Sequence, residues 1–276
     1  MVSFTDGQSG WVSFTVSGST PGSVGIGTAS WQWQFRYADP YDWVNDGTSS
    51  NTLYIVLAPP QSPMEEPWVY YVLIKACNWA SGKTSATTAM EAITTGTYSN
   101  LNVTYNGGIT HTSGMTFHLT QFMSDAEGDC QDMSAYVHVL TRAIGASSSV
   151  RRITDPSSIE DDIYGGWPHD RFWYKPIDPI GNPSGAQYGP DGWTLDPEPP
   201  PPELGVPYWD YCWWYFHQVA YYSGGVYDAT IRTNKSSPYV PTGMDINGDY
   251  KTEVLYYAIP EGQWDTGDPW SYQQVD

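Results

Sequence analysis

Cys130 lies in a local sequence that suits a catalytic nucleophile. Asp129 is well placed as the N-cap of a helix, and Gly145 would end that helix. Apolar residues recur between them at steps of three and four, which predicts a helix with one buried face. The apolar positions are Met133, Tyr136, Val137, Leu140 and Ile144.

This placement puts the thiol in the first turn of the predicted helix. Backbone N–H groups there lack partners, and the helix dipole favours negative charge, so Cys130 is biased toward the thiolate that attacks carbonyl carbon. Asp129 and Asp132 flank the cysteine and oppose that bias. The thiol therefore needs a cationic or polarisable partner.

A histidine and an aspartate that can act as this partner lie in one predicted β-hairpin. Two apolar, aromatic-rich segments flank Ser223-Gly224-Gly225, a composition typical of a tight turn. His217 falls in the first strand and Asp228 in the second, so folding about the turn would bring them near each other. With Cys130, they would take the roles of nucleophile, base and orienting acid.

Together these residues resemble the transglutaminase-like cysteine enzymes, which have a papain-like fold. The pattern Gly-Asp-Cys-x-Asp, leading to Arg-Ala-x-Gly, is similar to the nucleophile helix of that family. His-x-Val followed by Val-Tyr-Asp-Ala-Thr is similar to its histidine and aspartate strands. Val219 stands where the family usually has an aromatic residue.

The resemblance implies both a mechanism and a substrate class. Cys130 would be the nucleophile, His217 the base and Asp228 the orienting acid. The reaction would be acyl transfer at a carboxamide, carried out as a transglutaminase, a deamidase or a cysteine peptidase. The substrate would be a protein or peptide, recognised through Gln or Lys side chains or a backbone amide. The sequence does not choose among these three outcomes, because all share the same first half-reaction.

Other residues are candidates for stabilising the oxyanion and lining the cleft. The backbone N–H of Cys130 is the first candidate oxyanion donor, and Gln121 is the candidate for the second. A set of tryptophans could line a substrate groove; the alternative is that they are hydrophobic plugs that hold a long loop in place. The set comprises Trp167, Trp173, Trp193 and Trp214.

The first 62 residues are predicted to be rich in β-structure. Alternating stretches at 11–16, 31–37 and 52–57 predict strands, and Asn45-Asp46-Gly47 is a candidate hairpin turn. We expect a sheet docked on the following domain, or the remnant of an immunoglobulin-like module.

Residues 63–276 are predicted to form the transglutaminase-like domain. A proline-rich linker precedes helices near 67–80 and 85–95. The predicted fold class is α+β, with the nucleophile at a helix N-terminus packed on an antiparallel sheet. A long Pro- and Trp-rich insertion at 146–207 should border the cleft, because loops of this length are usually functional.

Composition narrows the range of partners. The chain has 30 acidic residues against 11 Lys and Arg, a net charge of −19, so it would repel phosphate backbones and nucleic acid is not a predicted partner. A cationic substrate, such as a lysine-bearing peptide, would be attracted. No apolar run approaches about 18 residues, so no membrane span is predicted. The oligomeric state is left open.

Sequence features favour a secreted or cell-surface protein. Lysine is scarce, Ser, Thr, Gly and Trp are abundant, and sequon-like sites occur at Asn102 and Asn234. The first residues lack the basic and apolar regions of a signal peptide, so we expect the signal sequence to be absent from this chain.

Three cysteines leave at least one free thiol. With Cys130 as the nucleophile, Cys77–Cys212 is the remaining pairing. The alternative is that Cys77, in an apolar helical run, is a buried packing residue.

One stretch resembles the start of a calcium loop. Asp245, Asn247 and Asp249 alternate as oxygen ligands do, but Tyr250 replaces the expected glycine, so a polar turn is the other interpretation. No other cofactor is predicted.

A function of a different class also fits the composition. The chain would then be a catalytically inactive extracellular binding or surface-structural module, in which exposed aromatic residues bind peptide or glycan. The chemical reactivity of Cys130 separates this alternative from the enzyme.

Overall fold

The computed structural model describes residues 21–37, 41–153, 172–174, 177–181, 212–214, 217–233, 236–254 and 271–276. Its helices are Ile74–Trp79 (α1), Ala86–Asn100 (α2), Leu119–Asp125 (α3), Cys130–Ala143 (α4) and Lys251–Glu253 (α5), with π-helical turns at Val69–Leu73 and Ile246–Tyr250.

Strands make up the rest of the described secondary structure, and the first two are much longer than the others. In chain order they are Gly25–Phe35 (β1), Val44–Ile55 (β2), Thr104–Tyr105 (β3), Thr112–Ser113 (β4), Thr116–Phe117 (β5), Glu127–Gly128 (β6), Ser149–Ile153 (β7), Phe172–Tyr174 (β8), Ile177–Pro179 (β9), Cys212–Trp214 (β10), His217–Tyr222 (β11), Gly225–Tyr227 (β12), Ile231–Thr233 (β13), Thr242–Met244 (β14) and Gln274–Val275 (β15). This mixture of a few helices and several small sheets confirms the predicted α+β class.

Helix α4 lies at the centre of the described core. Its predicted apolar face is buried: Tyr136 packs edge-on against Trp79 of α1 and touches Phe122 of α3. The opposite face is buried as well, which the periodicity did not predict. Polar residues there bond locally: Thr141 donates to the Val137 carbonyl, and His138 Nδ1 is bonded to Ser148, whereas the buried His138 Nε2 has no partner within the described residues. The helix is therefore enclosed rather than half-exposed.

An antiparallel sheet of four strands, in the order β14-β12-β11-β7, packs against this helix. The predicted hairpin at its centre is confirmed, with Tyr222 paired to Gly225 across the turn. Both turn residues, Ser223 and Gly224, have positive φ, as a two-residue turn matching the twist of the strands requires. The side chain of Gln218 joins the sheet to the helix by donating to Ser134 at 2.9 Å.

Strands β1 and β2 form a separate two-stranded ribbon. The predicted strands at 31–37 and 52–57 fall largely within it, whereas 11–16 lies outside the described residues. The turn prediction at Asn45-Asp46-Gly47 is wrong, because these residues lie inside β2, where the register shifts by one residue opposite Trp33. Gly47, at φ 112°, fits that bulge rather than a chain reversal.

The proline-rich stretch that follows β2 is bonded to the C-terminal end of α4. Leu57 N donates to the Ile144 carbonyl, and Gln61 N donates to the Arg142 carbonyl. The Gln61 side chain adds a bond to the Gly145 carbonyl. Hydrogen bonds therefore hold the predicted linker against the C-terminal end of α4. The domain boundary at this point stays a prediction.

Cys77 is a buried, free thiol on α1, so the Cys77–Cys212 disulfide is not formed and the alternative of a packing residue is confirmed. Its sulfur lies 3.8 Å from the Ile55 carbonyl oxygen, and burial raises the pKa of this thiol to about 11. Within the described residues, no helix has the length and apolar character needed to cross a bilayer.

Gly145 ends α4 at φ 86°, and the Ala58 carbonyl occupies the space that a Cβ would need. We expect Gly145→Ala to lower the free energy of unfolding by about 2–4 kcal/mol, because it combines left-handed strain with a backbone collision. Gly82 is the matched control: it has φ 78° but open space around it. Gly82→Ala should cost only about 1 kcal/mol in the same denaturant titration. Equal losses in the two variants would contradict the close approach at Gly145.

Candidate active site

The N-terminus of α4 is held by a reciprocal pair of caps. The Asp129 carboxylate accepts from the Gln131 and Asp132 amides, at 2.8 and 3.1 Å, and the Asp132 carboxylate accepts from the Asp129 amide at 3.2 Å. This confirms Asp129 as the N-cap. The Met133 amide bonds the Asp129 carbonyl, whereas the Cys130 amide has no acceptor within the described part of the chain. That N–H is therefore a suitable oxyanion donor.

His217 and Asp228, predicted to come together, are in contact. The His217 Nε2 atom lies 2.8 Å from Asp228 Oδ2, and both side chains are fully buried. Asp228 also accepts from the Tyr250 hydroxyl at 2.8 Å and from the Thr230 amide at 3.0 Å. An ionised carboxylate only accepts hydrogen bonds, so the tautomer that fits this contact carries the ring proton on Nε2 and leaves Nδ1 as the acceptor.

The thiol of Cys130 lies against the strand that carries His217. The backbone N–H of Gln218, the next residue along β11, is near enough to the sulfur to lower the pKa of the thiol, and the charge of Asp228 also acts on it. The thiol is almost completely buried, with Cys130 only 3 % exposed. The nucleophile candidate, the histidine strand and the acid therefore occupy one small region.

The electrostatics of this region favour a neutral thiol. Burial, followed by the charge of Asp129, raises the pKa of Cys130 well above its ordinary range. Asp228 and Asp132 add to this effect, and the Gln218 N–H opposes it. The opposition expected from Asp129 and Asp132 is therefore present, and burial together with the charge of Asp228 adds to it against the helix dipole.

The role of Gln121 as a second oxyanion donor stays a prediction. The Gln121 side chain is on the exposed face of α3 and donates to Asp125 at 3.3 Å. The tryptophan candidates are only partly described. Trp173 lies on β8 and Trp214 on β10, two strands that pair with each other, while Trp167 and Trp193 are outside the described residues.

Sequence reasoning missed two residues that act on the candidate triad. The backbone N–H of Gln218 lowers the pKa of the Cys130 thiol, and the Gln218 side chain donates to Ser134 and to the Tyr272 hydroxyl. Its position next to His217 is the signal that could have identified it. Tyr250 bonds Asp228 from a distant segment, and no sequence spacing indicates that contact.

The predicted calcium ligands form a polar turn. The Asp245 carboxylate accepts from the Asn247 amide at 2.9 Å and thereby caps the π-helical turn, while Asp249 is exposed. Across the described residues, no group of three or more His, Cys, Asp or Glu side chains is arranged to hold a metal ion.

The raised pKa of Cys130 predicts that its thiolate is absent at neutral pH. A free thiol is half-ionised near about pH 8.5, so a higher pKa moves ionisation to higher pH. We expect the difference in ultraviolet thiolate absorbance between the wild type and Cys130→Ser to stay flat through about pH 8.5. Cys77 is present in both proteins and cancels in the difference. A difference signal already present at about pH 6 would instead indicate a preformed ion pair with His217.

Comparisons were made with protein-family models, with curated proteins and with solved structures. None of the three found a match to this chain. The case for a function rests on the residues and contacts described above.

Proposed function

We propose that this chain is a transglutaminase-like cysteine enzyme that transfers acyl groups from carboxamides through Cys130, His217 and Asp228. The observation that carries the proposal is the buried His217–Asp228 contact of 2.8 Å, on the strand whose next backbone N–H lowers the pKa of the Cys130 thiol. The α4 helix, with the antiparallel sheet packed on it, would then correspond to the core of a papain-like fold.

The charges around the sulfur determine how the reaction starts. Because the resting thiol is neutral, His217 acts as a general base during the attack rather than as the partner of a standing thiolate. The proton moves from sulfur to Nδ1, and the imidazolium that forms is stabilised by Asp228. Tyr250 and Thr230 keep that carboxylate oriented.

The first half-reaction produces a thioester. As sulfur bonds to the carboxamide carbon, the carbonyl oxygen becomes an oxyanion that the Cys130 N–H stabilises. The C–N bond then breaks, and His217 returns its proton to the leaving ammonia or amine. Water would release the acyl group as an acid, and an amine would release it as a new amide. Both outcomes use the same three residues.

The triad predicts a defined pattern of losses in catalysis. Cys130→Ala should abolish ammonia release from a glutamine-containing peptide, since no nucleophile remains. His217→Ala should lower kcat/KM by at least about 100-fold, the range lost with a general base. Asp228→Asn should lower it without unfolding the chain, because an amide holds the imidazolium less well.

A matched variant separates catalysis from folding. His138→Gln changes another buried histidine, which lies on α4 and is bonded to Ser148. Its kcat/KM, measured on folded protein, should stay close to that of the wild type. Full ammonia release by folded His217→Ala would refute the triad. Incorporation of a fluorescent amine, measured in parallel, would distinguish transfer to amines from transfer to water.

A second function, non-catalytic binding of peptide or glycan, is supported by a separate observation. The ribbon of β1 and β2 carries large aromatic side chains that remain about half exposed: Trp33 at 46 %, Phe35 at 45 % and Trp43 at 50 %. Exposed aromatic residues grouped on one element are typical of a binding surface.

The ribbon makes a prediction that does not involve the thiol. If it is the binding surface, Trp33→Ala should weaken binding of a peptide or oligosaccharide ligand by at least about tenfold, and Cys130→Ala should leave it unchanged. Titration followed by calorimetry measures both. Loss of binding in Cys130→Ala alone would place the ligand at the candidate active site.

A further inference from the structure

A second histidine–carboxylate cluster lies beside the start of α4 and has no part in the proposed mechanism. His111 is buried, and its two ring nitrogens face two different carboxylates. Nδ1 lies 3.1 Å from Asp132 Oδ2, and Nε2 lies 3.0 Å from Asp125 Oδ2. The His111 backbone N–H donates to Asp132 as well, at 2.8 Å. The ring edge packs on Phe122.

These contacts determine how many protons the cluster holds. Each nitrogen–oxygen contact needs one proton, and a neutral imidazole supplies only one. The second proton is held either on the ring or on a carboxyl group. In both arrangements the two acids and the histidine together carry one negative charge, whereas the two acids alone would carry two. His111 therefore adds one proton to the group formed by Asp125, Asp132 and its own ring.

The position of Asp132 connects this cluster to the thiol. Its side chain is fully buried, it caps the Asp129 amide, and its charge is among those that raise the pKa of Cys130. Asp125, by contrast, is 39 % exposed. The proton at His111 therefore offsets the buried acid near the sulfur and leaves the net negative charge on the exposed acid.

The titratable groups around the ring come from both neighbouring helices. Helix α3 contributes Asp125, and α4 contributes Asp132 together with the nearby charge of Asp129. Burial disfavours the charged ring, but hydrogen bonds to Asp125 and Asp132 outweigh burial, so the pKa of His111 is raised. Burial and the charge of Asp129 raise the pKa of Asp132 to about 7, and His111 opposes that rise. The raised pKa of His111 and the raised pKa of Asp132 both favour keeping the extra proton at neutral pH.

We propose that His111 is a positioning residue for the chemistry of Cys130: clamped between Asp125 and Asp132, it fixes the carboxylate that caps the nucleophile helix and cancels its charge beside the sulfur. The inference rests on the proposed function in that Cys130 is taken to be the reacting group. It adds a second histidine whose effect reaches the thiol through Asp132.

The experiment measures the rate at which iodoacetamide alkylates Cys130 in the full chain at about pH 7.5, with the labelled residue identified by mass spectrometry. The neutral amide of His111→Gln donates hydrogen bonds through its NH2 group but carries no titratable proton, so alkylation should slow on the order of tenfold, the effect of one pKa unit on the thiolate fraction. The matched control is His118→Gln, which alters a histidine paired to Asp276 at 2.9 Å on the surface. Its rate should stay within about twofold of the wild type.

Asp125→Asn keeps the test decisive if His111→Gln does not fold, and an Asp132→Asn background tests whether the effect of His111 passes through Asp132. Asp125→Asn changes an exposed residue, and its amide can donate to Nε2, so the ring keeps a single proton and the negative charge stays on Asp132. Alkylation should slow in this variant too. In an Asp132→Asn background, His111→Gln should have little further effect, because the charge that it offsets is gone.

Each outcome supports or overturns the inference. Three results would overturn it. The first is an unchanged alkylation rate in folded His111→Gln, and the second is an unchanged or faster rate in Asp125→Asn. The third is that His111→Gln slows alkylation equally in the Asp132→Asn background. His217→Ala separates it from the proposed function. If His111→Gln slows alkylation while His217→Ala leaves both alkylation and ammonia release intact, the acyl-transfer mechanism fails and the role of His111 stands. If His111→Gln leaves alkylation unchanged while His217→Ala slows alkylation and ammonia release, the role of His111 fails and the triad stands.

Discussion

The capped N-terminus of α4 is the constraint on which the rest of the candidate site depends. Asp129 and Asp132 bond each other's backbone amides, so the first turn begins at one defined residue. That residue is Cys130, and its amide is the one that the caps leave without an acceptor in the described chain. Two buried acids beside a thiol oppose its ionisation, and His111 bonds one of them, Asp132, at 3.1 Å.

The enclosure of α4 explains why so much structure surrounds one helix. The sheet covers it through Gln218, α1 and α3 cover it through aromatic contacts on Tyr136, and the segment after β2 holds its C-terminal end. A helix fixed on all sides keeps its first residue at a constant position relative to β11. Such rigidity is what a reaction needs when its nucleophile and base come from different elements.

Sequence reasoning identified the parts that depend on local chemistry. The N-cap at Asp129, the helix end at Gly145 and the hairpin that brings His217 to Asp228 all follow from short-range rules, and the structure confirms each of them. Sequence reasoning failed where contacts between distant segments, or burial, determine the structure and charge of the site. Neither the Tyr250 contact with Asp228 nor the pairing of His111 with two acids has a spacing signal. The net charge at Cys130 depends on desolvation, which a sequence does not display. Asn45-Asp46-Gly47 has turn composition, but the pairing of β1 with β2 continues through it and absorbs the glycine as a bulge.

The contact between Tyr250 and Asp228 has a consequence for how the molecule matures. Cys130, His217 and Asp228 all leave the ribosome before Tyr250 does, and Tyr272, which bonds Gln218, emerges later still. In a nascent chain these three groups would therefore be present before Tyr250 and Tyr272 could bond Asp228 and Gln218. The arrangement proposed for catalysis would be complete only once both tyrosines have emerged and docked.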